Sequence, residues 1–209
     1  MIDQTIAALE ILAEKERKER SKLMFPTSMK VLGVRSPNIK KVVNECWDTL
    51  KNHSAEEQLD FAKELVKTKI LECNQVAFLL LWKNKNSLRL IGLKDIEELA
   101  KNIDNWVTVD TLSVLISGWV WRENQIKNED VLNWLNSENR WWRRTAVVST
   151  VALNLRSRGG TGDAKRTILS GEKVISGRDD MIVKALSWAL RELSKSDKAA
   201  GEKFMDKYD

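Results

Sequence analysis

The sequence predicts an all-α protein: stacked antiparallel helix pairs forming a curved, HEAT-like or armadillo-like solenoid. Three observations carry that expectation. Apolar residues recur at helical spacing along nearly the whole 209-residue chain, which is the primary signal for helix. Two prolines and nine glycines are too few for the turns of a β-sandwich or barrel. The amphipathic segments are short, closely spaced and without an evident central member, so each pair must bury its stripe against its neighbours. A plain helical bundle is the alternative architecture. One domain spanning 1–209, with a concave face for a partner, is expected at this length.

In chain order, Ile6, Leu9, Leu12 and Ala13 form the first stripe, which runs into a highly charged turn from Glu14 to Lys22. Ser36-Pro37 reads as an N-cap followed by proline at the first helical position, and Ile39, Val42, Val43, Cys46, Trp47 and Leu50 follow at helical spacing. Ser54-Ala55-Glu56-Glu57 is a capping box opening a helix through about Lys69. Further helices are predicted over 73–84, 94–103, 106–122, 129–136, 139–157, 163–175 and 179–195. Asp179-Asp180 places negative charge at the positive end of the last of these. The segment Arg158-Gly159-Gly160-Thr161-Gly162 lacks the Lys-Ser/Thr of a phosphate loop and reads as an interhelical loop.

Composition removes several function classes. His53 is the single histidine, so a histidine-based triad or a multi-histidine metal site is excluded, and no dinucleotide or Walker-type loop supports a nucleotide cofactor. No metal and no cofactor are therefore expected. The longest apolar run, Val76 to Trp82, falls far short of the roughly 20 residues that span a bilayer. The N-terminus lacks a basic region ahead of an apolar stretch, and Cys46 and Cys73 cannot make a disulfide framework; a cytoplasmic setting is expected. The net charge of +5 permits a polyanionic partner without requiring one.

The aromatic residues are more informative. Nine tryptophans accompany one tyrosine. Trp47 and Trp82 lie within apolar stripes and read as packing residues. Trp119 and Trp121 are two apart, so one helix face cannot bury both, and at least one is expected between neighbouring pairs. Trp106 and Asp110 are four apart and share a face, with the carboxylate leading into the apolar stretch Leu112 to Trp121. A carboxylate there needs a partner or a task. Arg140, Trp141, Trp142, Arg143 and Arg144 share one helical start, and Lys184, Trp188 and Arg191 share a later face. A tryptophan flanked by cations suits sugar and phosphate. The structural alternatives are a buried ion pair for Asp110 with Arg144 and a solvated face for the other arginines.

Together these segments resemble the DNA alkylation repair family of HEAT-like glycosylases. The family pattern W-D-x-x-D is matched by Trp106 to Asp110, W-x-x-R-A by Trp141 to Thr145, and K-A-x-x-W-x-L-R-E by Lys184 to Glu192. A fourth element, Leu32-Gly33-Val34-Arg35-Ser36-Pro37, is similar to the family's L-G-I/V-x-T/S-P. All four occur in family order over about residues 28–197, with Val107 and Thr145 as departures, and the resemblance implies a final family helix reduced to Lys198–Asp209. The resemblance implies a monomer that holds double-stranded DNA on its concave face and hydrolyses the N-glycosidic bond of 3-methyladenine or 7-methylguanine. It assigns Asp110, Trp106, Trp188 and Arg144 to the chemistry. Arg35, Ser36, Arg140, Arg143, Lys184 and Arg191 would contact DNA. The rival readings are a non-catalytic DNA-structure binder of the same fold and a helical scaffold for a protein partner.

Overall fold

The computed structural model describes residues 1–208 and is all-α, as predicted. Among the described residues the β structure is limited to one isolated bridge between Lys30 and Ile70. The chain divides into two compact units, Met1–Thr111 and Leu112–Asp209, each with its own core. No described helix is long and apolar enough to cross a membrane.

In the first unit, α1 (Ile2–Ile11), α3 (Ser36–Leu50), α4 (Ala55–Lys67) and α5 (Leu71–Lys83) pack together. The predicted capping box at Ser54 and Glu57 is present, with both reciprocal hydrogen bonds. Against expectation, the charged turn from Glu14 to Lys22 is mostly helix, α2 (Lys15–Met24), and none of its residues is buried. It carries no apolar stripe for a periodic reading to detect. High intrinsic propensity of Lys, Arg and Glu, aided by an i,i+3 pair between Lys22 and Glu19, explains a helix there. A six-residue helix missing from the sequence reading, α6 (Lys85–Leu90), is capped by Asn84 accepting from the Asn86 amide at 3.0 Å. It is too short to display a period. The helix at Ser36 is N-capped by Arg35, without a side-chain cap bond, so Ser36 is the first helical residue and not the cap. The helices α7 (Leu93–Ala100) and α8 (Trp106–Leu112) follow.

In the second unit, a π-helical turn (Ser113–Ser117) and α9 (Gly118–Arg122) continue the stretch predicted over 106–122. There follow α10 (Asn128–Leu135), α11 (Arg140–Asn154), α12 (Ala164–Val174), α13 (Asp180–Ser196) and α14 (Lys198–Tyr208). From α10 to α14 each helix touches its sequence neighbour and also the helix two further on. Such alternation is how stacked helix pairs bury their stripes in two layers. The predicted helix over 139–157 ends at Asn154, and a 3₁₀ turn, Arg156–Arg158, leads into the glycine loop. In that loop the Gly162 amide returns to the Leu153 carbonyl at 3.0 Å. Asp209, included in the expected terminal helix, lies outside the described residues.

Both Trp119 and Trp121 are buried, because the helix around them is enclosed on every side. An ideal Cβ on Gly118 would lie 2.5 Å from the Ser149 carbonyl oxygen, so glycine is what permits this close approach to α11. The Ser117 and Ser149 hydroxyls meet at 2.7 Å in the same crossing. Trp47 and Trp82 are only half-buried, not core as predicted. The Lys83 ammonium lies 5.5 Å from the Trp47 ring centre, and that of Lys85 lies 3.1 Å from the Trp82 ring centre. Cation–π contact at the surface, instead of full burial, accounts for both rings.

Candidate active site

The first unit places Trp106 and Asp110 through a set of short, local restraints. Asn105 is fully buried; its side-chain Oδ1 accepts from the Thr108 amide at 3.1 Å, capping α8. Beside it, the Asp104 carboxylate accepts from the Thr27 hydroxyl and from the Ser28 amide, tying residues 25–30 to the start of α8. Burial opposes ionisation of Asp104, but these hydrogen bonds outweigh it and hold the carboxyl below the usual range. That tie brings Phe25 edge-on to Trp106, with ring centres 6.0 Å apart. Trp106 and Val107 then pack on a cluster of Phe25, Met29, Val31 and Leu71. The apolar surroundings explain why valine is accommodated at 107. Asp110 lies one turn further along and is half-buried.

A second clasp shapes the segment before α3. Glu72 is 2% exposed and accepts from the amides of Leu32 at 3.0 Å, Gly33 at 2.7 Å and Val34 at 3.2 Å. Gly33 has φ +89°, and a Cβ there would lie 2.6 Å from the Glu14 carbonyl oxygen. Only glycine fits this left-handed position beside α2. Arg35 is ion-paired to Glu14 at 2.8 Å, while Ser36 helps line a cavity of about 340 Å³ that also includes Trp106, Val107 and Glu72.

The second unit holds the basic candidates. Asp179 caps α13, accepting from the Met181 amide at 3.1 Å. Arg140 meets it in a two-pronged contact at 3.0 and 3.1 Å, and Arg143 adds a bond at 3.2 Å. Burial disfavours the charged Asp179, yet the Met181 amide and the two guanidiniums prevail and keep its carboxyl below the ordinary range. Arg143 also donates to the carbonyls of Ser137 and Glu138. Arg144 is 6% exposed and donates to the Met181 carbonyl, fixing the first turn of the helix that bears Trp188. On α13, Lys184 and Arg191 are exposed and Trp188 is half-buried on the same face, and Lys184 pairs with Asp180 at 3.3 Å.

The structure therefore brings Trp106 and Asp110 together on one helical face, and Arg140 with Arg143 on one carboxylate. It keeps Lys184, Trp188 and Arg191 on one stripe. Sequence reasoning missed Glu72, Asp104 and Asn105 as positioning groups. Asn105, three residues before Thr108, carried a local capping signal; Glu72 carried none, because its partners lie about forty residues away. Among the described residues no group of three or more His, Cys, Asp or Glu side chains is arranged to hold a metal ion.

Comparison with known proteins bears on the family and the fold. The chain matches the family described as DNA alkylation repair enzyme over residues 5–209. No curated protein matches the sequence. A solved structure of a predicted DNA alkylation repair enzyme from Enterococcus faecalis is similar, with a TM-score of 0.71 at 15% identity, over 93% of this chain and 89% of that one. At that identity the structural likeness speaks for the fold, and the match across nearly the whole sequence speaks for descent: the chain belongs to the DNA alkylation repair enzyme family.

Proposed function

We propose that the chain is a monomeric DNA glycosylase that excises cationic alkylated purines, such as 3-methyladenine and 7-methylguanine, from duplex DNA. The observation that supports this reading is a carboxylate and an indole one turn apart on a helix with a locked start. Trp106 is braced by Phe25, and Asp110 is half-buried beside it.

The chemistry fits those groups. An alkylated purine already carries the positive charge that makes it a leaving group, so no catalytic acid is needed. What remains is to stabilise the sugar cation as the bond breaks and to position a water for attack. The Asp110 carboxylate does both, by electrostatics and as a general base. Trp106 and Trp188 place electron-rich ring faces toward the cationic sugar, each contact contributing about 1–2 kcal/mol when desolvated. Arg144, anchored through Met181, holds a neighbouring phosphate or the Asp110 carboxylate. Arg35, Ser36, Arg140, Arg143, Lys184 and Arg191 contact the backbone, the paired arginines exchanging carboxylate for phosphate. The reading requires the two units to present one concave DNA-binding face, with no metal or cofactor taking part.

The test is release of free 3-methyladenine and 7-methylguanine from methylated duplex DNA. Asp110→Asn is expected to lower excision about 100-fold or more while leaving duplex affinity nearly unchanged. Undiminished excision would remove Asp110 from the chemistry. A second reading, a non-catalytic binder of DNA, is favoured by Val107, which packs on an apolar cluster where the family pattern has an acid. Salt-sensitive duplex binding with no base release in the unaltered protein would establish that reading instead.

A further inference from the structure

The cavity in the first unit has a composition that the proposed chemistry does not use. Its volume is about 340 Å³, and its walls come from α2, the Gly33 segment, the start of α3, α5 and the start of α8. One wall is aromatic, formed by Phe25 and Trp106. The rim on α2 carries Arg17 and Arg20. Both are exposed, and among the described residues neither guanidinium has an ion pair or a side-chain hydrogen bond. This contrasts with Arg35, Arg140 and Arg143, each of which is held by a carboxylate. Glu72 also borders the cavity, but three backbone amides occupy its oxygens, so its charge is already compensated. Ser21 and Gln75 supply neutral polar edges.

A pocket of a few hundred cubic ångströms with an apolar body and a few convergent polar groups is the ordinary form of a small-ligand site. Here the polar end is doubly cationic and the apolar end is a pair of rings. An anionic ligand with a flat aromatic body satisfies both: planar guanidiniums take phosphate oxygens in two-pronged fashion, and bases stack on indole faces without regard to sequence. We propose that this cavity is a binding site for one nucleotide unit, its base on the Phe25–Trp106 wall and its phosphate on Arg17 and Arg20. The nucleotide belongs either to a DNA strand or to a free nucleoside monophosphate. The proposal shares Trp106 with the glycosylase reading but does not depend on bond cleavage.

The experiment is calorimetric titration of the full chain with dGMP, with inorganic phosphate, and with a short single-stranded oligonucleotide. The double variant Arg17→Gln/Arg20→Gln is compared with Lys165→Gln and Lys173→Gln, which remove the same charge from the second unit. The α2 pair is expected to weaken nucleotide or oligonucleotide binding at least about tenfold, and the control pair to change it less than about twofold. Ser21→Trp, which fills the cavity from an exposed helix, is expected to have the same effect as the double variant. Loss of both dGMP and oligonucleotide binding identifies a site open to free nucleotides; loss of oligonucleotide binding alone identifies a strand subsite. Equal weakening by the α2 and control pairs, or phosphate binding as tight as dGMP binding, would overturn the proposal. A chain that binds here yet releases no base keeps this site and loses the glycosylase reading. Base release with binding indifferent to these variants does the reverse.

Discussion

Each unit of the molecule uses a carboxylate to hold the approach to a helix, but the partners differ in kind. In the first, Glu72 is buried and takes three backbone amides ahead of α3. In the second, Asp179 takes one backbone amide and two arginines ahead of α13. The amide clasp has no substitute once formed, because those N–H groups are enclosed and have nowhere else to turn. The arginine clasp is exchangeable: a phosphate offers the same two-pronged geometry and a larger charge. One unit is thus fastened through enclosed amides, whereas the other pairs its carboxylate with arginines that a competing anion could take.

Breaking the rigid clasp should have the largest effect. Glu72→Ala leaves the amides of Leu32, Gly33 and Val34 without an acceptor and should lower the unfolding free energy by about 3–5 kcal/mol in urea titrations. Glu72→Gln should cost less. A midpoint unchanged in the alanine variant would show that the clasp contributes nothing. Next comes the close helix crossing of the second unit. Gly118→Ala places a methyl against the Ser149 carbonyl and should destabilise by about 1–3 kcal/mol; thermal unfolding measures it.

Asp179→Asn sharpens the contrast. It keeps the cap, because the asparagine oxygen still accepts from the Met181 amide, but removes the charge of two ion pairs, for about 1 kcal/mol after allowing for solvent screening. Duplex affinity at low salt should rise by a few-fold, because Arg140 and Arg143 no longer give up a carboxylate. Weaker binding would mean that Asp179 orients those arginines for DNA. The smallest effect is on acid stability. Asp104 and Asp179 both have folded pKa values below their unfolded ones, so their stabilisation is complete above about pH 4 and disappears as pH falls through the folded values. Melting temperatures should drop as pH falls below about 4, with a shallower drop in Thr27→Val, which deletes one bond to Asp104.

Much of this was legible in one dimension. Helical period, the capping box at Ser54, the acidic start at Asp179 and the Trp106–Asp110 spacing are all local, since helix geometry converts sequence separation directly into position. The errors were local as well. The helix from Lys15 to Met24 lacks an apolar stripe, and Trp47 and Trp82 rest under lysines that a stripe cannot reveal.

The sequence alone determined the fold class, the family and the candidate groups, because period, capping and motif order depend on neighbours within a few residues or on inherited spacing. Tertiary structure alone decided which charges are already spent and which are not. Glu72 is committed to amides some forty residues away, and Asp179 to arginines thirty-six and thirty-nine residues away. Arg17 and Arg20, chemically the same as those arginines, stand at a cavity with no ion pair among the described residues. Charge pairing is decided by distances of a few ångströms between side chains far apart in the chain, and no local pattern encodes them.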